Sequence, residues 1–397
     1  MSETNSDRSE VLRPSVTDYS VEAYGRMIED TVRVEAFLEG LRRTVTTDSV
    51  VLDIGAGTGI FSLLAARLGA RRVIAIEPGE PIHAARDVAK DNGLEDRITF
   101  IQGISTALQP TERVDVVISD LRGALPLFES HIATIVDVRQ RWLKSGGVLL
   151  SCADSVFMAP VHAPEAYDSI VSYPSAANHG LDLARLSGIA SNTFHKHRID
   201  AECVAGARQL WTTIDYYSVT SPDVSQELTW HFDDSKTLHG FVMWFESNVI
   251  DEVRFSNAPG ERGSIHGHAF FPFLQVIEVQ PGDEVSIRVD AKLIAGDYIW
   301  RWRTSICDST GQLRESFDQS TLKQLVKPLD QLRAREEGRR TQMTTNGRIM
   351  LYTLSSLDEG RSLGEVADEL VERFPDTFAD RTSALRRAAD AAAAFAE

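Results

Sequence analysis

The sequence has few cysteines, no long apolar run and fewer basic than acidic residues, and each shortage excludes a class of protein. Its 397 residues include three cysteines, Cys152, Cys203 and Cys307, whose spacing fits neither a disulfide framework nor a metal site. No apolar run approaches the roughly 18 residues of a membrane span, and the N-terminal residues are too polar for a signal peptide. We therefore expect a soluble, cytoplasmic protein without a metal or a membrane partner.

The charge balance is acidic, with 41 lysines and arginines against 58 aspartates and glutamates and a net charge of −17. Such a surface opposes nonspecific binding to nucleic acid, so we expect no nucleic-acid partner. Hydrophobic residues make up 43% of the chain, which is enough for the cores of two or three domains.

What the sequence does contain is a glycine-rich turn between an apolar strand and a helix. Residues 51–60 read VLDIGAGTGI, with Gly55, Gly57 and Gly59 at alternate positions, and the apolar run 72–76 ends in Glu77. In a βαβ unit such glycines let the backbone approach a nucleoside, and an acid that ends the second strand can accept both ribose hydroxyls. The pattern predicts one half of a ligand site, although a plain strand-to-helix turn would contain the same glycines.

The spacing of this turn favours S-adenosylmethionine over a dinucleotide. Dinucleotide sites usually read G-x-G-x-x-G and place a pyrophosphate at a helix N-terminus, whereas this turn reads G-x-G-x-G and follows Asp53. S-adenosylmethionine has no phosphate, and an acid beside the turn can hold its ammonium group directly or through water. We therefore expect Asp53 to contact a methyl donor.

Strands and helices continue to alternate after Glu77. This order predicts a parallel sheet with right-handed crossovers, whose ligand site lies at the carboxyl ends of the strands. The expected elements are helices over 80–92 and about 129–143, and strands over 98–101, 114–119 and 148–151.

Five blocks occur in a fixed order over residues 17 to 325. They are the pattern Tyr24-x-x-Met27-x-x-Asp30-x-x-Arg33, the glycine turn, Glu77, the segment from Ser119 to Ser130, and three pieces at 239–245, 256–259 and 266–271. In this order they resemble the protein arginine methyltransferases, and specifically their bacterial relatives. The resemblance implies a class I methyltransferase sheet of Rossmann-like type, followed by an antiparallel β-barrel with a helical dimerisation arm. A head-to-tail homodimer is therefore expected.

The resemblance also implies which residues bind the cofactor, S-adenosylmethionine. Arg33 would pair with the methionine carboxylate, Glu77 would bind the ribose, and Thr106 would contact the adenine where the family has an acid. With the turn, the expected cofactor-binding residues are Arg33, Asp53, Gly55, Gly57, Gly59, Glu77 and Thr106.

Asp120 and Glu129 match the two acids of the family's acceptor loop, and His266 matches the histidine of a second loop. The resemblance implies that the acids orient the acceptor nitrogen and that His266 accepts a proton near neutral pH. Ordinary structural roles are also open. Asp120 could cap a turn, Glu129 could pair with a nearby arginine, and His266 could be a satisfied interior histidine.

This acceptor loop departs from the family pattern in ways that bear on the substrate. Asp120 is one methylene shorter than the family's glutamate, Arg122 stands where the family has a methionine, and Gly267 replaces a tryptophan. A cation about 4 Å from a bound guanidinium would cost about 4 kcal/mol at the effective dielectric of a protein surface. Arg122 therefore either binds substrate itself or turns away into an internal ion pair, which would restore an amine or arginine acceptor.

From about residue 151 the pattern changes to short β runs separated by Gly, Pro and Asp turns, which is typical of an antiparallel barrel or sandwich. The expected runs are 210–217, 228–232, 240–245, 270–279, 285–289 and 298–303.

The family pattern ends after Pro328. We expect a charged helical connector over 333–340, a short strand pair that includes the apolar run 349–354, a helix capped by Ser362 and Glu365, and a last helix from about 381. This arrangement is similar to small winged-helix modules of the PqqD-like kind, which bind leader peptides. The module either recognises a peptide or serves as a structural cap.

The sequence thus predicts four regions and one main function. The regions are a disordered segment 1–16, a cofactor-binding domain 17–152 with an N-terminal cap helix, a β-barrel substrate domain 153–327 with an arm at about 163–190, and a helical module 328–397. The expected function is methyl transfer to a nitrogen of a peptide, protein or amine-bearing metabolite. Two alternatives remain open, an O-methyltransferase of a small natural product and a non-catalytic cofactor-binding scaffold.

Overall fold

The computed structural model describes residues 21–172, 181–261, 264–324, 340 and 342–395. Contacts divide the chain into two compact units, one that ends at Leu325 and one that begins at Val326. The expected disordered segment 1–16 and all but the last residue of the connector 333–340 lie outside the described residues.

The first part of the larger unit alternates helices and strands as predicted. Its helices are α1 (Val21–Glu29), α2 (Thr31–Thr44), α3 (Ile60–Arg67), α4 (Pro81–Asp91) and α5 (His131–Arg141). Its strands are β1 (Val50–Ile54), β2 (Arg72–Glu77), β3 (Ile98–Gln102), β4 (Val114–Ser119) and β5 (Leu143–Leu150). All pairs are parallel in the order β3-β2-β1-β4-β5, which confirms the expected sheet.

The order of the strands fixes where a ligand can bind. Strand β1 is buried along its whole length, as expected for a central strand covered on both faces. The chain leaves β1 towards β2 on one side and later returns to β4 on the other. Because the crevice of such a sheet opens at this reversal, the loops after β1 and β4 face a common space. These loops carry the glycine turn and Asp120.

Strand β5 is longer than the expected run 148–151. It begins at Leu143, just after the end of helix α5. The pairing with β4 shifts between Val114↔Leu143 and Val116↔Val148. Gly146 and Gly147 therefore lie in a bulge within the strand and do not end it.

The second part of the larger unit is antiparallel. Its strands are β6 (Ala153–Val161), β7 (His195–His197), β8 (Gln209–Asp215), β9 (Val224–His231), β10 (Lys236–Ile250), β11 (Val253–Ser256), β12 (His268–Val279), β13 (Glu284–Ile294), β14 (Asp297–Cys307) and β15 (Leu313–Ser320). Among the described residues they pair as two sheets, β7-β12-β10-β6-β8 with β11 beside β10, and β15-β14-β13-β9, rather than as one closed barrel. All six expected β runs are found, and β6, β7, β11 and β15 were not expected.

The expected arm at about 163–190 is helical where it is described. It contains α6 (Pro164–Tyr167), a π-helical segment (Asp168–Ser172) and α7 (Ala184–Ala190), while residues 173–180 lie outside the described ranges. A last short helix of the unit, α8 (Thr321–Gln324), follows β15.

The smaller unit contains α9 (Thr345–Asp358), α10 (Leu363–Arg373) and α11 (Arg381–Phe395). Its helical character and the capping box of Ser362 and Glu365 are confirmed. The expected strand at 349–354 is wrong, because these residues continue α9, and no strand occurs within 342–395. Thr344 caps that helix, and Ile349, Thr353 and Ser356 are buried at helical spacing.

In the parts of the chain that the structure describes, no helix combines the length and apolar content needed to cross a membrane.

Candidate active site

The backbone of the turn after β1 strongly favours glycine at three positions. Gly55, Gly57 and Gly59 have φ of +68°, +53° and +82°, in the left-handed region that other residues seldom adopt. A Cβ on Gly55 would lie 2.3 Å from the side chain of Leu121, and one on Gly57 would lie 2.3 Å from the ring of Tyr24. The turn is therefore packed closely between α1 and the loop after β4.

Replacing Gly57 with alanine should push α1 away from the turn. Alanine adds both backbone strain and a collision with Tyr24. We expect trypsin to cleave after the exposed Arg26 about 10-fold faster than in the unmodified chain. This change in rate corresponds to about 1.4 kcal/mol of local stability. Gly93→Ala is the matched control, because Gly93 has φ +64° and open space around it. Equal cleavage rates for the two variants would show that Tyr24 does not anchor α1.

Glu77 is buried at the end of β2 and is held by the turn itself. Its Oε2 accepts a hydrogen bond from Gly57 N at 2.9 Å, and its Oε1 accepts one from Gly79 N at 2.9 Å. A carboxylate oxygen can accept more than one hydrogen bond. The backbone therefore fixes the orientation of the expected ribose acid.

Asp53 is buried beneath the turn, where Ser62 Oγ donates a hydrogen bond to its Oδ2 at 2.7 Å. Burial is the main reason why its pKa rises to about 7, and the carboxylates of Glu77 and Asp120 add to the rise. Asp53 therefore changes its charge near neutral pH.

Arg33 lies on the first turn of α2, which Asp30 caps. The Arg33 guanidinium pairs with Asp120, its Nη2 donates to Met27 O at 2.6 Å, and its buried Nε has no partner. A buried charged donor without an acceptor is costly, so this atom marks a place for an anionic ligand group.

Asp30 holds two different segments with one carboxylate. Its Oδ1 accepts a hydrogen bond from Arg33 N at 3.3 Å, and its Oδ2 accepts bonds from Ser264 Oγ at 3.1 Å and Ile265 N at 2.9 Å. The start of α2 is thereby fixed to the loop that carries His266.

Asp120 lies between two guanidinium groups. Arg33 pairs with its Oδ2, and Arg122 Nη1 donates to its Oδ1 at 3.0 Å. Burial alone would raise the pKa of Asp120, but the two arginines hold it well below its usual range. Asp120 is therefore ionised at all relevant pH values and is already paired.

Arg122 turns away from solvent towards β6. Its side chain and that of Asp154 are both 0% exposed, and its Nε and Nη2 donate to the two oxygens of Asp154 at 2.7 and 3.1 Å. Tyr216 OH also donates to Asp154, and Ser247 Oγ accepts from Arg122 Nη2 at 3.3 Å. Of the two alternatives for Arg122, the geometry favours the internal pair over direct substrate binding.

Asp154, Tyr216 and Ser247 were not expected from the sequence. Asp154 was the detectable one, since it is the only charged residue in β6. Its neighbours depend on the register, which pairs Asp154 with Ser247 on one side and with Ile214 on the other.

His266 is buried close to Asp120. Its Nδ1–H donates to Gly123 O at 2.9 Å, which leaves Nε2 as an acceptor without a partner. Burial lowers the pKa of His266, although the charge of Asp120 works in the opposite direction. The ring is therefore neutral at physiological pH and has a lone pair available.

Glu129 lies at the end of the loop after β4, which also carries Asp120, and two residues before α5. It has φ +42°, an uncommon left-handed conformation for a residue other than glycine. Backbone strain of this kind is concentrated at functional sites.

The loop after β3 contains a serine next to the expected threonine. Thr106 is exposed, whereas Ser105 is buried and its Oγ has no partner. Arg141 holds this turn by donating to Ser105 O at 2.9 Å and to Leu108 O at 2.7 Å. Ser105 is thus a second polar group that could contact an adenine.

The fold is a Rossmann-like parallel sheet followed by an antiparallel β part. Residues 33–159 match the family described as ribosomal protein L11 methyltransferase (PrmA). The chain is 32% identical over 230 residues to the "Probable protein arginine N-methyltransferase 6.1" of Oryza sativa subsp. indica. The aligned region covers 55% of this chain and 60% of that protein. The resemblance to the protein arginine methyltransferases is therefore confirmed.

Solved structures agree at the level of the fold. Protein arginine methyltransferase 10 of Arabidopsis thaliana has a TM-score of 0.64 at 21% identity, over 76% of this chain and 97% of that one. The PRMT1 enzyme–prozyme complex of Trypanosoma brucei with AdoHcy has a TM-score of 0.67 at 20% identity, over 75% of this chain and 96% of that one. The chain nevertheless spans only about 60% of the length of the curated relatives named first.

Proposed function

We propose that the chain is an S-adenosylmethionine-dependent methyltransferase that acts on a nitrogen of a peptide, protein or amine-bearing metabolite. The observation that carries the proposal is the common placement of Arg33, the glycine turn and Glu77 at the carboxyl edge of the sheet, beside the loop of Asp120 and Glu129. The parallel part, 17–152, would bind the cofactor and the antiparallel part, 153–327, the acceptor.

The polar groups of the site fit this cofactor. The Nε of Arg33 suits the methionine carboxylate, Asp53 the ammonium, Glu77 the ribose, and the Oγ of Ser105 or of Thr106 the adenine. When bound, the cofactor supplies a methyl group that its sulfonium already activates.

Because the donor is activated, the protein mainly has to position the acceptor and control its proton. Glu129 would orient the N–H bonds of the acceptor. The Nε2 of His266 is a neutral acceptor and would receive the proton that the nitrogen loses. Asp120 would contribute negative charge near the reacting nitrogen while it remains paired with Arg33.

The arrangement of Arg122 favours nitrogen over oxygen as the acceptor. A cation that points into the cleft could lower the pKa of a phenol or a carboxylic acid and so prepare an oxygen nucleophile. Arg122 instead donates to Asp154 and has no exposed side-chain surface. A non-catalytic scaffold would not require the neutral, unpaired Nε2 of His266.

Two further proposals concern the assembly and location of the chain. The helical segments of the arm, α6 and α7, would pair two copies head to tail, and sedimentation of the full chain would show a dimer. Three cysteines without a disulfide fit the reducing cytoplasm.

Asp53 should make cofactor binding depend on pH. An ammonium group beside Asp53 stabilises the charged carboxylate, so binding near pH 7 releases a proton, and affinity falls as the pH drops below the raised pKa of about 7. We expect S-adenosylhomocysteine to bind about 10-fold more weakly at about pH 6 than at about pH 8. Calorimetry in buffers of different ionisation enthalpy measures both effects. The affinity of Asp53→Asn for S-adenosylhomocysteine should not depend on pH in this range. If this variant kept the pH dependence of the unmodified chain, Asp53 would not be its cause.

The function itself is tested with labelled S-adenosylmethionine, arginine-containing and lysine-containing peptides and a fractionated cell extract. Mass analysis of the labelled species should show the addition of one or more CH2 units on nitrogen. Glu129→Gln is the control for enzyme-dependent labelling. Labelling of a hydroxylated metabolite alone would favour oxygen transfer, and cofactor binding without any turnover would favour the scaffold.

A further inference from the structure

Asp120 is engaged on both of its oxygens. Arg33 pairs with Oδ2 and Arg122 with Oδ1, so two cations already face one carboxylate. A guanidinium acceptor is recognised by carboxylates that meet its planar fork of donors. A third guanidinium at Asp120 would have to approach two others at short range, where like charges repel.

Arg122 cannot readily leave this position. Asp154 binds it through two hydrogen bonds, and both side chains are fully buried. If Arg122 swung away, Asp154 would remain as an unpaired buried charge that only Tyr216 and its neighbours could stabilise. Arg33, Asp120, Arg122 and Asp154 therefore form a fixed chain of two cations and two anions with no net charge.

We propose that Arg122, held by Asp154, determines acceptor specificity by withholding Asp120 from a guanidinium, so that the pocket prefers an amine nitrogen to the side chain of arginine. This inference rests on the proposed function. An amine needs only one hydrogen-bond acceptor to fix its orientation, and it is uncharged when it acts as a nucleophile, so it does not require a second carboxylate. Arg122 and Asp154 are thus specificity-determining residues that need not touch the substrate.

The test compares two peptides that differ only in an arginine or a lysine at one position. Their binding to the complex of the full chain with S-adenosylhomocysteine is measured by fluorescence anisotropy, and their methylation is measured with labelled S-adenosylmethionine. The double variant R122M/D154N removes both buried charges together and retains a polar partner for Tyr216. We expect the arginine-to-lysine ratio of affinities, and of kcat/KM where turnover is seen, to rise at least about 10-fold.

Arg314→Met is the matched control, because Arg314 also pairs with a buried aspartate, Asp283, at the turn between β12 and β13. The arginine-to-lysine ratio of this variant should stay within about 2-fold of the ratio for the unmodified chain. Should the double variant fail to fold, Arg122→Lys keeps the buried charge but cannot form the same fork, and we expect it to raise the ratio at least about 3-fold.

The outcomes separate the two proposals. If the unmodified chain does not bind S-adenosylhomocysteine, the proposed function and this inference both fail. If it binds the cofactor but the folded variants leave the arginine-to-lysine ratio unchanged, the inference alone is overturned. A ratio that already favours arginine strongly in the unmodified chain also overturns it.

Discussion

Glutamine in place of Glu77 should lower the affinity for S-adenosylhomocysteine about 100-fold, or about 3 kcal/mol. The carboxylate accepts hydrogen bonds from Gly57 N and Gly79 N and would also accept two from the ribose. Glutamine has one acceptor oxygen and one donor nitrogen, so the amide would face at least one backbone N–H with a donor. The substitution would disturb both the turn and the contact with the ligand. Calorimetry measures the resulting loss of affinity for S-adenosylhomocysteine.

Glu80→Gln is the matched control for this experiment. The substitution is chemically identical and lies three residues away, but Glu80 is exposed and its contact with His83 is at the surface. Affinity should remain within about 2-fold. If the two variants lost affinity equally, Glu77 would have no specific role in binding.

The second large effect concerns stability. Arg122→Met should lower the free energy of unfolding of the larger unit by about 3–5 kcal/mol, because it leaves the fully buried Asp154 without its cation. Adding Asp154→Asn in the same chain should recover most of this loss. Breaking one half of a buried ion pair costs more than removing both charges.

The larger unit can be followed separately. All six tryptophans lie between Trp142 and Trp302, so urea unfolding monitored by tryptophan fluorescence reports on this unit and not on the one that begins at Val326. Arg26→Met, which breaks an exposed pair with Glu22, should change stability by at most about 0.5 kcal/mol. A loss for Arg122→Met as small as that control would mean that water reaches Asp154.

Local patterns in the sequence were the ones that could be interpreted correctly. The spacing of Gly55, Gly57 and Gly59 identifies a turn, because each needs a backbone conformation that depends only on its own neighbours. The acid that ends β2 follows from the length of a βαβ unit. The parallel sheet, the run of antiparallel strands and the capping box at Ser362 were predictable for the same reason.

Contacts that depend on the register of distant strands could not be predicted. Arg122 is 32 residues from Asp154, and their meeting requires β6 to lie between β8 and β10 in one particular alignment. The apolar run 349–354 was assigned to a strand because a short run fits either period, and only the burial of Ile349, Thr353 and Ser356 reveals a helix.

Asp30 connects two segments of the candidate site through one side chain. A substitution there would release the first turn of the helix that carries Arg33 and, in the same step, the segment leading to His266. Selection on cofactor affinity and selection on acceptor choice would then act on the same carboxylate. Neither property could be tuned at this position without disturbing the other.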